Sequence, residues 1–177
     1  MVNKPTRPFD PASELASDSS GIDPRDFRNA LGAYATGVTV ITACADGKLA
    51  GLTCNSFASV SLNPPLVLWS LVSFSPSMSL FRAASHFTVN VLGLSQRDLA
   101  THFATPAEDK FAGVTWTPGR GGAPILPNAV AAFECRAVDR YYGGDHVIFL
   151  GAVEAYAYNR SESLLFSRGK FGHFVLN

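Results

Sequence analysis

The rhythm of hydrophobic and polar positions changes several times along the 177-residue chain. After Ile22 the spacing is helical. Asp23 is placed to cap a helix whose first residue is Pro24, and Ile22 and Phe27 are spaced as a hydrophobic staple. Phe27, Leu31 and Tyr34 share one face, and Gly37 stops the run. From Val38 the period shortens to that of strands. Val38 to Ala43 and Lys48 to Asn55 flank Asp46-Gly47, which reads as a hairpin turn. Leu66 to Val72 is a continuous apolar run after Pro64-Pro65, as expected of a strand buried on both faces, and Phe87 to Leu92 is another strand.

Two long β-rich segments follow, Ala129 to Tyr142 and His146 to Tyr158, joined by Gly143-Gly144-Asp145. Strands of that length bend or coil, as they do in barrels. Short helices interrupt the pattern. Ser75-Pro76 reads as an N-cap and first-turn pair for Ser77 to Ala84. Ser95 is placed to cap a helix through Phe103, with Asp98 closing the box and Leu94 stapled on Leu99. Tight hairpins and irregular alternation disfavour a doubly wound parallel sheet. The expected fold is mainly β, an antiparallel barrel with peripheral helices. Residues 1–21, with Pro5, Pro8, Pro11 and a Ser/Asp/Gly cluster, read as a disordered or loosely draped arm, and residues 22–177 as one folded domain.

Composition narrows the function classes. Fourteen basic and fourteen acidic residues cancel, so the chain lacks the basic excess of a nucleic-acid binder. No apolar run is long enough for a membrane helix, and the first residues lack a secretion signal's apolar core. Cys44, Cys54 and Cys135 are odd in number with no C-x-x-C pair, so reduced thiols in the cytoplasm are expected. Only 16% of residues are charged against 47% hydrophobic, which implies surface covered by a partner or a ligand. His86, His102, His146 and His173 form no close ligand set, so no metal is expected. Phosphate loops, dinucleotide fingerprints and nucleophile elbows are also missing, which leaves room for a cofactor to carry the chemistry.

Three stretches could bind one. Gly51-Leu52-Thr53-Cys54-Asn55-Ser56-Phe57-Ala58-Ser59-Val60-Ser61 offers hydroxyls, an amide and backbone N–H groups after a strand, and the simpler reading is a polar strand-end loop. Ser75-Pro76-Ser77-Met78-Ser79, at a helix start, combines N–H groups and hydroxyls in a way that suits phosphate, though ordinary capping explains it as well. His146, entering a strand after two glycines, could hydrogen-bond a ligand or be merely structural.

Taken in order, these motifs resemble the short-chain flavin reductase family, the reductase partners of two-component flavin monooxygenases. The resemblance rests on Phe27 to Gly32, Ala35 to Thr42, Gly51 to Phe57, Ser59 to Leu68, Phe87 to Leu92, Lys110-Phe111, Gly143 to His146, and Leu164 to Phe171. It implies a split β-barrel that forms a homodimer and binds FMN or FAD near the subunit interface, with NADH or NADPH as hydride donor. It implies that Thr53, Cys54, Asn55, Ser56, Phe57, Ser59, Val60 and Ser61 follow the flavin ring and ribityl chain. Ser75, Ser77, Met78 and Ser79 would hold the phosphate, Phe111 and Phe171 would border the cofactor, and His146 would face the nicotinamide. Family members often carry a lysine or arginine in the phosphate segment, where this chain has serines. Phosphate binding would then rest on N–H groups and hydroxyls, or on Arg82 reaching back. The implied activity is reduction of flavin for a separate oxygenase. The alternative is a flavin carrier or electron store of the same barrel type, without turnover.

Overall fold

The computed structural model describes residues 21–175; the expected N-terminal arm lies, but for Gly21, outside them. Helix α1 (Pro24–Leu31) is capped by Asp23, whose Oδ1 accepts from the N–H of Arg25 at 2.7 Å and of Asp26 at 3.0 Å. It ends at Gly32, five residues before the expected stop at Gly37. Gly37 instead belongs to β1 (Thr36–Gly37), and Tyr34 lies off the helix, 80% exposed. The expected staple does not form a buried contact, for Ile22 and Phe27 are both exposed.

The strands that follow are β2 (Thr39–Ala45), β3 (Lys48–Cys54), β4 (Ala58–Leu62), β5 (Pro65–Val72), β6 (His86–Val91), β7 (Thr117–Pro118), β8 (Pro124–Ile125), β9 (Ala131–Gly143), β10 (His146–Tyr158), β11 (Leu165–Ser167) and β12 (Lys170–Gly172). Asp46 and Gly47 take the positive φ of a tight β2–β3 hairpin turn, at 49° and 73°. One seven-stranded sheet, antiparallel at every pairing, runs β3-β2-β6-β9-β10-β5-β4. The long pair β9–β10 bends through two register shifts, at Leu150/Gly151 and Val153/Ala155. Gly151 is required there, because a Cβ would collide with the Phe87 ring and the Cys135 Cβ.

Bending brings the two edges of the sheet together at one end only. The chain leaves β3 through Asn55–Phe57 and enters β4, the opposite edge. The Ser56 hydroxyl ties that turn to β5, donating to the Ser70 carbonyl at 3.1 Å and accepting from the Ser70 N–H at 2.9 Å. No β3–β4 ladder closes the rest, so the barrel is split. This is the expected fold class.

Two cores flank the sheet. Inside, Trp69 stacks on Phe149 (4.5 Å, 10°) and meets Phe81 and Phe87 edge-on. Outside β2 and β3, Val38, Val40, Leu92, Phe103, Phe111 and Leu164 form the second core. Contrary to the expected two-sided burial, β5 buries only Val67, Trp69 and Leu71, leaving Leu66, Leu68, Ser70 and Val72 half-buried on its other face.

Both short helices start later than expected. Ser75 heads a turn in which the Met78 N–H donates to the Ser75 carbonyl at 3.0 Å, so α2 runs Met78–Ala83 with Ser77 as its cap residue. A 3-10 turn, Leu94–Gln96, precedes α3 (Arg97–Ala104). Gln96, not Asp98, reaches back to the Gly93 N–H at 3.0 Å while donating to the Pro127 carbonyl, and Ser95 caps nothing. Among the described residues no helix is long and apolar enough to cross a membrane.

Candidate functional site

Within the sheet β3 pairs only with β2, so alternate N–H and C=O groups along its other side are free for a ligand. The Thr53–Ser61 stretch starts on this strand but is not one extended segment. Thr53 donates its hydroxyl to the Ala100 carbonyl at 2.6 Å, joining β3 to α3. Cys54 is buried, its sulfur 2.9 Å from Ser56 Oγ. Asn55 is exposed at the turn with its amide uncommitted among the described residues. Ser56, through its bonds to Ser70, is a structural clamp and only its backbone remains for a ligand. Phe57 turns back onto Phe133 (5.8 Å, 27°). Ser59 and Val60 are exposed on edge strand β4, with Ser61 half-buried across a bulge. The chain reversal at Asn55–Phe57 thus leaves Thr53–Ser56 alone beside the β3 edge.

At the other end of β3, a cleft of about 550 Å³ is lined by Lys48, Leu49, Ser77 and Ser79 together with Asp46 and Glu108. It adjoins a smaller one, about 100 Å³, reached by Ser77, Lys110 and Phe111. Ser75 accepts from the Ser77 N–H at 3.3 Å, and Met78 points into the core, so it offers backbone only. Arg82 does not reach back to these serines. It hydrogen-bonds the Tyr142 hydroxyl and lies over the Tyr142 ring at 5.5 Å. The positive charge missing from the serine segment comes from elsewhere in the chain, from Lys48 on the hairpin and Lys110 on the loop after α3. Lys110 Nζ donates to the Phe103 carbonyl at 2.7 Å, and burial holds its ammonium below the ordinary lysine pKa.

Phe111 is 9% exposed and packs edge-on against Phe103 and Trp116, so it is a core residue that supports the Lys110 loop. Phe171 is half-buried against Phe166, with the Arg97 guanidinium over its ring at 5.5 Å. His146 lies opposite Val72 at the start of β10, two residues from Ile148, the partner of Ser70. It is therefore about 7 Å along the strand from the level of the Ser56 clamp. Its Nδ1 donates to Asp145 Oδ1 at 2.7 Å, which holds the Asp145 carboxyl below its usual range and leaves Nε2 without a partner among the described residues.

Beyond the Asn55–Ser56 turn a third cavity opens, about 860 Å³, lined by Arg28, Tyr34, Thr36, Phe166 and Arg168 among others. Sequence reasoning assigned these residues no role. The signal present was their place in the matched stretches Phe27–Gly32 and Leu164–Phe171, but nothing in the sequence says that the two meet. They meet because the Gly32 carbonyl accepts from the Arg168 N–H at 2.8 Å and from the Ser167 hydroxyl at 3.2 Å. The Thr36 hydroxyl in this wall is buried with no hydrogen-bond partner among the described residues. An orphaned hydroxyl beside an uncommitted amide, a free strand edge and a lysine–serine cleft form a donor set that fits a flavin mononucleotide. From Ala50, beside Ser77, along β3 to Asn55 just past its end is five residues, or roughly 17 Å. A ring with its ribityl phosphate bridges that span. Among the described residues no three His, Cys, Asp or Glu side chains gather as a metal set.

Residues 31–174 match the family model described as flavin reductase like domain. The chain is 41% identical over 156 residues to the reductase subunit HsaB of a flavin-dependent monooxygenase from Mycobacterium tuberculosis, covering 86% of this chain and 83% of that one. It is 44% identical over 154 residues to the FMN reductase (NADH) SmoA of Agrobacterium fabrum, covering 87% and 88%. A Rhizobium meliloti relative is 47% identical over 154 residues, 86% of this chain, but the chain spans only 49% of its length. Among solved structures, the NADH:FAD oxidoreductase SgcE6 of Streptomyces globisporus, in complex with NAD and FAD fragments, superposes with a TM-score of 0.82 at 41% identity, covering 87% of this chain and 96% of that one. The chain belongs to the flavin reductase like family.

Proposed function

We propose that this protein is an NAD(P)H-dependent flavin reductase that supplies reduced FMN or FAD to a separate monooxygenase component. The observation that carries the reading is family membership over residues 31–174, on a chain whose β3 edge joins a polar turn to a lysine–serine cleft. When bound, the flavin supplies an N5 that accepts hydride from the nicotinamide C4. The chain's own part is positioning and exclusion of water, with no side chain required as acid or base. Asn55, Thr36 and the backbone of Thr53–Ser56 hold the ring. Ser77, Ser79, Lys48 and Lys110 hold the phosphate through hydroxyls and two ammonium groups, while Asp46, Glu108 and Asp109 weaken the local field. His146, its Nδ1 committed to Asp145, presents Nε2 to the nicotinamide carboxamide.

The active species in this proposal is a homodimer in the cytoplasm. Support for the dimer is apolar surface without cover among the described residues: Leu62 at 94%, Tyr156 at 68% and Tyr158 at 75% exposure, beside the half-buried outer face of β5. The cytoplasm suits three free thiols. Steady-state oxidation of NADH and NADPH with FMN, FAD and riboflavin tests the activity, and light scattering tests the dimer. The reading predicts oxidation with at least one pair and a mass of two chains. Flavin binding without any oxidation would instead identify a carrier.

A further inference from the structure

The cavity between α1 and the β11–β12 hairpin differs electrostatically from the other clefts. Arg28 and Arg168 both line it and no Asp or Glu does. The clefts around Gly93–Asn159, His173–Val175 and Ser77 each carry at least one carboxylate. Of the acids on or before α1, Asp23 is committed to capping, and Asp26 shares that first turn, away from the cavity. Neither arginine forms an ion pair among the described residues. In a chain of zero net charge, two guanidinium groups without a carboxylate in one groove constitute a local anion site.

The site is also built. Arg168 stands at a φ of 49°, a conformation uncommon for a side chain of its size, fixed by its N–H bond to the Gly32 carbonyl. Tyr34, 80% exposed, offers an aromatic face in the same wall. Thr36, whose hydroxyl is buried without a partner among the described residues, lines the same cavity as the arginines and the Asn55–Ser56 turn. The groove therefore opens from the point where the proposed ring ends, and it is large enough for a nucleotide beside that ring.

We propose that this groove binds the adenosine diphosphate half of the hydride donor, Arg28 and Arg168 on the diphosphate and Tyr34 against the adenine. The inference rests on the reductase reading. If the nicotinamide stacks on a ring held at Asn55–Ser56, the rest of the donor must leave the ring through a neighbouring cavity. Fork-shaped guanidinium donors match phosphate oxygens pairwise, and a planar base finds a stacking partner in tyrosine. The groove thereby sets affinity for the donor without touching the reacting atoms.

The test is calorimetric titration of the full chain with ADP-ribose, FMN and riboflavin, for wild type, Arg28→Gln/Arg168→Gln and Tyr34→Ala, each checked for folding by circular dichroism. The expected result is a loss of ADP-ribose affinity of about tenfold or more in the double variant. Tyr34→Ala gives a smaller loss, and FMN and riboflavin affinities stay within about twofold of wild type. The KM for NADH rises with kcat unchanged. Unchanged ADP-ribose affinity in folded variants, or no ADP-ribose binding by wild type, overturns the proposal. So does a loss for FMN that riboflavin does not share, which would assign the groove to the flavin phosphate. Should the double variant not fold, Arg28→Gln alone, on a fully exposed helix, and Tyr34→Ala decide. Failure of wild type to oxidise either nicotinamide would sink the reductase reading instead, and the binding arms would still report on the groove.

Discussion

Ser56→Ala probes the junction on which both the split barrel and the site depend. Among the described residues the Ser56 hydroxyl and the long Cys54 Sγ contact at 4.0 Å are the side-chain hydrogen bonds that join this turn to the β5 backbone. Removing it deletes one bond donated to Ser70 O and one accepted from Ser70 N. At about 0.5–1.5 kcal/mol net per bond, and with water able to replace part of both at this exposed turn, the loss is about 1–2 kcal/mol. For a chain of this size that lowers Tm by roughly 2–8 °C. The turn must then be reordered when flavin binds, and about 1 kcal/mol spent there weakens affinity roughly fivefold. Urea denaturation measures the first effect and quenching of riboflavin fluorescence the second. Ser56→Thr keeps the hydroxyl and restores both, while Ser59→Ala, exposed on β4 and without a recorded bond, shifts stability by less than about 0.5 kcal/mol. Wild-type stability in Ser56→Ala would refute the clamp. Lost stability with unchanged riboflavin affinity would refute the link between clamp and site.

Other expectations follow from the same geometry. His146→Ala raises KM for the nicotinamide more than it lowers kcat if, as proposed, the residue orients the carboxamide and moves no proton; steady-state kinetics with an unchanged KM and a collapsed kcat would contradict this. Lys48→Ala weakens FMN by about 1 kcal/mol, roughly fivefold, while leaving riboflavin unchanged, as read by paired fluorescence titrations. Gly51→Ala costs about 1–3 kcal/mol in denaturant unfolding, since its Cβ would stand 2.5 Å from Phe103 Cε1 and 3.1 Å from Phe111 Cζ. Burial, with Glu134 and Glu154 nearby, pushes the Cys135 thiol from 9.0 up to about 12. The unfolded chain therefore loses that proton first, and the stability is fully present below pH 9 and lost as pH rises toward 12. The loss approaches about 3 kcal/mol by pH 11, and the one-proton slope disappears in Cys135→Ala.

Strand positions were legible in the sequence because β2 and β6 bury almost every residue and β10 buries alternate ones from Val147 to Gly151, while β9, in which only Cys135 is buried, was legible from its β-forming residues alone. Helix ends were less so. Asp23 caps α1 through its own neighbours, a local bond that sequence can announce, whereas Gln96 displaces Ser95 as the organiser of α3 because it also reaches Pro127, 31 residues away. The two-sided burial read into Leu66–Val72 fails since β5 lies next to the edge strand and one of its faces points out. At the site, the serine segment was visible as a motif, but its lysines were not. Lys48 and Lys110 reach Ser77 only because the β2–β3 hairpin and the loop after α3 converge there. Arg82, near the serines in sequence, serves Tyr142 instead. Arg28 and Arg168 meet through Gly32, a contact across 136 residues of chain that no local pattern encodes.

The most direct test of the account is anaerobic mixing of the purified protein with NADH and one equivalent of FMN or FAD, following the nicotinamide and flavin absorbance bands together. The account predicts that both bands decay at the same rate and in one-to-one proportion, and that admitting oxygen restores the flavin band alone. A nicotinamide band that persists with both flavins, in protein that demonstrably binds them, would contradict it.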